Sequence, residues 1–239
     1  MKASGQTFTL VEHLAELRKR LIIIAAVNLA AALICYQYAD VLLRFLLRVN
    51  PGMELIYLTP SELFMTYIKL SLICAVIFCF PITAMQIWIF VAEGLLKKEK
   101  FYGMTSLVFG VFFFLLGALF RYEVALPITL QFFQRITYEG ISAMISVDSY
   151  VSFVTVMMAG FGAAFEMPVV VFLLSELELL KPETMIRARG VLILMIFIVA
   201  AIITPPDVIS QIVLALPMCL LLQLSIWVCQ AVARRKARK

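Results

Sequence analysis

The sequence predicts an all-α integral membrane protein with six transmembrane helices in one polytopic domain, residues 1–239. Hydrophobic residues make up 64% of the chain and charged residues only 15%, a composition far outside that of soluble globular domains. The apolar residues form long runs, and about twenty such residues in a helix cross the roughly 30 Å of a bilayer's hydrocarbon. The predicted spans are 21–39, 63–92, 101–122, 149–176, 190–203 and 208–230.

The last two spans are separated by the segment TPPD (204–207), because its two prolines remove amide donors and end a helix. The fifth span then has about fourteen residues, or roughly 21 Å of helix, which is less than a full bilayer. Either this helix is buried against its neighbours or the bilayer is thinner around it.

Basic residues decide the predicted orientation. Six spans put fifteen of the twenty Lys and Arg residues on the side of both termini. The other side holds Arg44, Arg48, Arg121 and Arg135, and Lys69 lies in the second span. Because basic residues are retained on the cytoplasmic side of a membrane, both termini are predicted to be cytoplasmic. This rule alone explains the basic end of the chain, RRKARK.

Metal and hydrolase chemistry are not predicted. All five cysteines fall within apolar runs, where a thiol packs as a small hydrophobic group. The single histidine, His13, lies outside these runs, which excludes the intramembrane metal sites and serine–histidine hydrolases that need histidine. A nucleotide-binding loop of the GxxxxGK type is also missing from the sequence. We expect no catalytic residue, metal or cofactor, and the prediction includes no nucleic-acid partner.

An amphipathic helix is predicted just before the first span, in the segment TLVEHLAELRKR. Thr9 and Glu12 have capping-box spacing, and leucines recur every three or four residues to form a stripe suited to the membrane surface. Glu12 and Glu16 share the face away from that stripe. Either Glu12 caps the helix and Glu16 pairs with Lys19 or Arg20, or the two acids form an acidic patch that binds the guanidinium groups of a basic ligand.

A second acidic site lies in the loop between the second and third spans. Glu99 is flanked there by lysines, which is typical of a solvated turn. The predicted topology puts it on the same side of the membrane as Glu16, so it is also available to the same basic ligand. The residues alone leave both interpretations open.

Glu166 is the unexpected charge within a span, in the segment FEMP (165–168). A central acidic residue costs about 2.5 to 3.5 kcal/mol to insert, so it should face protein or water and not lipid. Pro168 frees the carbonyl group of Ala164 from its helical hydrogen bond. These residues predict a kinked, polar notch. The alternative is a carboxyl group that only forms a hydrogen bond to a neighbouring helix.

Six separated motifs follow one another along the chain. They are HLAELRKR (13–20), TPSELF (59–64) with Lys69 after it, PITAMQIWIF (81–90), GLLKKEK (94–100), FEMP (165–168) and AAIITPPDVISQIVLALPM (200–218). In this order, on a six-span plan, they resemble the TatC family, the multispanning receptor subunits of the twin-arginine protein translocase. Each motif alone is weak evidence, but together they cover the chain from about residue 8 to residue 230.

The resemblance implies a receptor, and no enzyme, in the bacterial cytoplasmic membrane. It would bind the twin-arginine signal peptides of folded precursors and export these with the proton-motive force. In the family, acids at the positions of Glu16 and Glu99 contact the arginine pair, and the basic residue matching Arg18 belongs to the same surface. The apolar part of the signal peptide is then expected to enter a concave face near Glu166 and Pro168.

The resemblance also implies a glove-like arrangement of the helices, with short fifth and sixth helices. The implied partners are the single-span subunits TatA and TatB, whose helices dock near Thr204 and Gln211 within the lipid bilayer, and a homo-oligomer is expected in the receptor complex. Two positions depart from the family pattern, since Glu93 replaces a proline and Gln223 a glutamate. A role that needs an ionisable group at position 223 is therefore not transferred.

A proton-coupled small-solute transporter is the alternative function. Glu166 would then be the coupling acid, and Lys69 or Asp207 a gate. Many transporters carry sequence repeats, and none is evident here. The cytoplasmic acids would also have no role in such a transporter.

Overall fold

A computed structural model describes residues 10–50, 54–135, 144–204 and 208–237, which are almost entirely helical. The α-helices are α1 (Leu10–Gln37), α2 (Ala39–Leu47), α3 (Glu62–Phe78), α4 (Phe80–Ala92), α5 (Lys97–Phe120), α6 (Leu126–Arg135), α7 (Val147–Phe165), α8 (Met167–Glu176), α9 (Pro182–Ile203) and α10 (Val208–Ala237). A π-helical turn, Arg121–Ala125, joins α5 to α6. Two short strands are β1 (Leu55–Ile56) and β2 (Ile145–Ser146).

Within these residues, five helical stretches are long and apolar enough to cross a membrane. They are His13–Gln37, Lys98–Arg135, Val147–Glu176, Pro182–Ile203 and Val208–Ala237. Helices α3 and α4 make a sixth span when counted as one, although they are bent by 54° where they meet. Pro81 lies in the first turn of α4 and lacks the amide that would continue the helical hydrogen bonds of α3. The predicted six-span helical membrane fold is confirmed.

The expectation of short fifth and sixth helices needs a correction. Helix α9 has 22 residues and α10 has 30. Helix α9 begins at Pro182, eight residues before the apolar run, because proline fits the first turn of a helix and residues such as Glu183 and Arg187 are compatible with helix. Helix α10 extends into the basic tail, where cations at the last turn interact favourably with the helix dipole.

Two hydrophobic clusters hold the helices together. One joins the four helices α7, α8, α9 and α10, and it includes the buried residues Met157, Phe161, Leu214 and Leu222. The other joins α2, α3, α6 and α7, and lies at the end of the molecule opposite the termini. Many large apolar side chains of α1 and α9 face outward instead, as expected of helices in contact with lipid.

Polar contacts cap the end opposite the termini. Strands β1 and β2 pair in parallel, with Leu55 opposite Ile145. Beside them, the Lys69 ammonium lies 2.7 Å from an Asp148 carboxylate oxygen, and the Ser146 hydroxyl donates to the Glu62 carboxylate. Lys69 is therefore held in an ion pair. This is the residue that would be a gate if the protein were a small-solute transporter.

Candidate functional site

Glu16 lies where the first turns of α1 pack against α4. The His13 ring stacks on Phe90 with 4.4 Å between ring centroids. The Glu16 carboxylate pairs with the Arg20 guanidinium, which also donates a 3.1 Å hydrogen bond to the side-chain oxygen of Gln86. Of the two interpretations of Glu16, pairing with Arg20 is thus realised. The contact to Gln86 fixes this guanidinium against α4.

Arg18 is exposed on the same helix as Glu16. Its side chain is therefore available at the surface, while Arg20 is mostly buried between α1 and α4. Thr9 lies outside the part of the chain that the structure describes, and so does Asp207, the other gate of the alternative function.

Glu99 caps α5. Its carboxylate accepts a 2.7 Å hydrogen bond from the backbone amide of Leu96 and so satisfies one of the unpaired donors at the start of the helix. The side chain also lines a cavity of about 290 Å³, together with Tyr102, Glu176 and Arg235. Glu99 is thus a capping residue that borders a polar cavity.

Glu176 is a buried acid that the sequence did not single out. It is the last residue of α8, and its side chain is 1% exposed. One carboxylate oxygen accepts a hydrogen bond from the Arg235 guanidinium, and the Glu176 carbonyl accepts one from Lys236 at 2.6 Å. Lys236 also lies 3.1 Å from a carboxylate oxygen of Glu178. Arg235 and Lys236, in the last turn of α10, therefore contact the end of α8, so these two basic residues have a structural role besides their effect on orientation.

The predicted acids are distributed over two packing surfaces at the end of the molecule where α4 leads into α5. Glu16 lies against α4, whereas Glu99 lines the cavity that also holds Glu176. Glu93, the departure from the family pattern, ends α4. One of its carboxylate oxygens is buried and has no hydrogen-bond partner among the residues described.

Glu166 separates α7 from α8, and its backbone amide donates to the Ala163 carbonyl at 3.2 Å. Its carboxylate lies against α5 at Gly110, where an added Cβ would be 2.9 Å from Oε2. The other oxygen, Oε1, is buried with no hydrogen-bond partner in the described ranges. The side chain borders an apolar cavity of about 270 Å³, whose other walls include Trp88 and Val169.

Two glycines of α5 make room for this cavity. A Cβ on Gly103 would overlap the ring of Trp88, and one on Gly110 would press on the Glu166 carboxylate. The neighbouring Pro168 is buried in the first turn of α8, where its missing amide needs no acceptor. The interrupted helix and the two glycines together produce a pocket with one acid in an apolar wall.

Thr204 ends α9, and Gln211 lies in the first turn of α10. The Thr204 hydroxyl donates to the Ala200 carbonyl at 2.8 Å, and the Gln211 amide donates to the Phe197 carbonyl at 3.1 Å. Both side chains thus satisfy carbonyl groups near the end of α9. The outward face of α9 beside them is apolar and includes exposed Ile202.

Arg121 is a basic residue whose side chain is fully buried, in the π-helical turn. The sequence counts it with the basic residues on the side opposite the termini, at the end of the predicted span 101–122, and the count says nothing of its burial. Its guanidinium carbon lies 5.0 Å from the ring centroid of Phe153 and 5.9 Å from that of Phe161. The guanidinium nitrogens have no hydrogen-bond acceptor among the described residues, and the group interacts with the faces of these two rings.

Comparison with known families agrees over most of the chain. The family model described as Sec-independent protein translocase protein (TatC) matches residues 12–217. A Sec-independent protein translocase protein TatC from Helicobacter pylori is 40% identical over 220 residues, which cover 92% of this chain and 87% of that protein. The TatC protein of Aquifex aeolicus is 36% identical, with 95% of this chain and 97% of the relative covered.

Solved structures give the same result. The crystal structure of the twin-arginine translocase receptor TatC matches with a TM-score of 0.85 and 35% sequence identity. The match covers 93% of this chain and 100% of that one. A second crystal structure of this receptor, in DDM, matches with a TM-score of 0.83 and 36% identity, over 90% of this chain and 98% of that one.

Proposed function

We propose, from the premise that this chain belongs to the TatC family of Sec-independent protein translocase proteins, that its acids Glu16 and Glu99 bind the arginine pair of a signal peptide. The chain is a multi-pass membrane subunit of the bacterial twin-arginine translocase, a protein-transport component and no enzyme. The proposal assigns the receptor step to particular residues.

One observation carries this assignment. Both acids lie in surroundings that already accommodate a guanidinium group, since Glu16 pairs with Arg20 and Glu99 borders the cavity that holds Arg235. A carboxylate has lone pairs for more than one donor, so each acid retains capacity for an incoming arginine. Arg18, exposed beside Glu16, completes the surface and can donate to the backbone carbonyls of the peptide.

The apolar part of the signal peptide would then lie near the Glu166 notch. The cavity of about 270 Å³ beside Glu166 is apolar apart from this acid and Ser106, which suits an apolar helix that carries an occasional polar group. Glu166 and Pro168 would act at this later stage of transport, driven by the proton-motive force. The unpaired Oε1 would accept a hydrogen bond from the passing chain.

Single-span partners of the TatA and TatB type would dock at α9. The exposed apolar face of that helix offers a packing surface within the bilayer, and Gln211 adds a polar group at its end, next to the buried side chain of Thr204. Polar side chains stabilise contacts between helices in lipid. Copies of this chain would assemble with those partners into a homo-oligomeric receptor.

Photocrosslinking tests the arginine site. A photoreactive residue at position 16 or 99 should form an adduct with a precursor that carries Arg-Arg in its signal peptide, and not with one that carries Lys-Lys, because lysine lacks the planar fork that pairs with carboxylates. With the probe placed at exposed Arg18, the double substitution Glu16→Gln with Glu99→Gln should abolish the Arg-Arg adduct.

Glu183→Gln is a matched control. Glu183 is an exposed acid in the first turn of α9, so it resembles Glu99 in its position on a helix but is no part of the proposed site. This variant should retain the adduct. An undiminished adduct in the double variant would remove Glu16 and Glu99 from the site.

A further inference from the structure

The cavity beside Glu99 has a buried carboxylate as part of its wall. Glu176 is 1% exposed, and its Oε2 is buried with no hydrogen-bond partner among the described residues. Burying a carboxylate is costly unless hydrogen bonds and an opposite charge compensate it. The cavity therefore requires a cationic donor.

Arg235 supplies that donor from the chain's own tail. Its guanidinium pairs with Glu176 Oε1 and lies 5.4 Å from the ring centroid of Tyr102. The Arg235 side chain is nevertheless 47% exposed, and it lies in the last turn of α10. The cation is thus held at one end by a buried acid, while its other side remains open to water.

The contacts in this cavity suit a guanidinium group better than an ammonium group. A guanidinium is planar and always charged, so it can stack on Tyr102 while its fork bonds to a carboxylate. An ammonium is a compact point charge that cannot make both contacts in the same way. Glu99 also contributes a carboxylate to the cavity wall, whose lining includes the ammonium groups of Lys98 and Lys236 as well.

We infer that Glu176 and Tyr102 form a guanidinium-binding site in which Arg235 is an internal ligand, and that an arginine of an incoming signal peptide replaces Arg235 there. This inference rests on the proposed function, since it extends the arginine site from Glu99 to Glu176. Of the two adjacent arginines Arg234 and Arg235, only Arg235 lines this cavity, so the resting protein places one guanidinium where the inference puts an arginine of the peptide.

Pairing with Arg235 explains why the buried Glu176 carboxylate is tolerated in the resting protein. Without Arg235 the buried Glu176 carboxylate would lose its guanidinium donor, so release of Arg235 is favourable when another guanidinium enters. The released Arg235 is already half-exposed and returns to water with little penalty. Binding of an arginine peptide and release of the tail are therefore coupled.

Peptide affinity of the full-length protein in nanodiscs tests the inference. The probe is a fluorescent signal peptide with Arg-Arg, compared with the same peptide carrying Lys-Lys. Arg235→Gln should lower the Kd for the Arg-Arg peptide about three- to tenfold, because an internal ligand reduces apparent affinity by the fraction of sites it occupies. Arg235→Lys should also lower it, since lysine keeps the charge but lacks the fork.

Arg234→Gln is the matched control. Arg234 is the neighbouring exposed residue of the same charge and lies outside the cavity lining, so its Kd should stay within about twofold of the wild type. Glu176→Gln should weaken peptide binding and remove the gain from Arg235→Gln in the double variant. Hydrogen exchange of residues 233–237 should rise when the Arg-Arg peptide binds.

The outcomes separate the two hypotheses. If the wild type binds the Arg-Arg and Lys-Lys peptides equally, the proposed function itself fails. If it prefers Arg-Arg but Arg235→Gln behaves like Arg234→Gln, the internal-ligand inference is overturned and the proposed function stands. A gain that persists in the Glu176→Gln background, or a tail whose exchange is unchanged by peptide, overturns it equally.

Discussion

Glu166 and Glu176 lie in one helical span, yet their carboxylates have opposite surroundings. Glu176 ends α8 and is paired with a guanidinium from the tail. Glu166 lies between α7 and α8 against Gly110, and one of its carboxylate oxygens has no hydrogen-bond partner among the described residues. A buried acid with a partner can be held and released by exchange of that partner. A buried acid without a partner can accept a hydrogen bond from a group that enters the cavity beside it.

The largest effect should come from Glu166→Leu. Export of a folded precursor by membrane vesicles should slow about tenfold or more, the equivalent of at least about 1.4 kcal/mol on the barrier. Thermal stability of the purified protein should be unchanged or higher, because an unpaired polar group is replaced by an apolar one of similar size. Glu166→Gln is the control that keeps polarity without charge, and export at the normal rate in Glu166→Leu would make the notch merely structural.

A smaller effect is expected from Gly110→Ala, which leaves Glu166 intact but moves its carboxylate. The added Cβ would lie 2.9 Å from Oε2, so the side chain must shift within the cavity. We expect the export rate to fall about two- to fivefold, corresponding to about 0.5 to 1 kcal/mol. Gly190→Ala, where a Cβ meets no atom within 4 Å, should leave export unchanged. Equal rates for both variants would mean that the position of the carboxylate is unimportant.

The smallest effect is expected from Glu178→Gly, which tests the outer acid beside Glu176. Glu178 has a positive φ of 60°, a conformation that glycine adopts without strain, and its side chain is 78% exposed. Relief of strain and loss of the pair with Lys236 should nearly cancel, so the free energy of unfolding should change by less than about 1 kcal/mol. Affinity for the Arg-Arg peptide should stay the same. A loss as large as that of Glu176→Gln would transfer the role from the inner to the outer acid.

The membrane fold is predictable from the sequence because its signal is local. The composition of a run such as 149–176 is enough to predict a transmembrane span. The prolines of TPPD likewise predict the end of a helix from a few residues alone. Glu166 also stands out locally, since an acid within an apolar run is unusual. The family resemblance adds roles for Glu16 and Glu99 that spacing alone left open.

The remaining features depend on contacts that no local pattern reports. Glu176 and Arg235 are 59 positions apart, and each looks like an ordinary surface charge in its own segment. Arg121 counts toward the basic residues of one side of the membrane, and such a count cannot foresee that its guanidinium lies against the rings of Phe153 and Phe161. The true start of α9 at Pro182 was missed because hydropathy locates apolar runs and does not locate helix ends.

The cap at the end opposite the termini has a consequence for biosynthesis. Its bonds include one between residues 79 positions apart, Lys69 with Asp148, and one between residues 84 positions apart, Ser146 with Glu62. A growing chain therefore cannot complete the outer end of α3 until residues 145–148 have crossed the bilayer. While the third span is synthesised the second span lacks these contacts, and they can form only after the chain has reached the start of the fourth span.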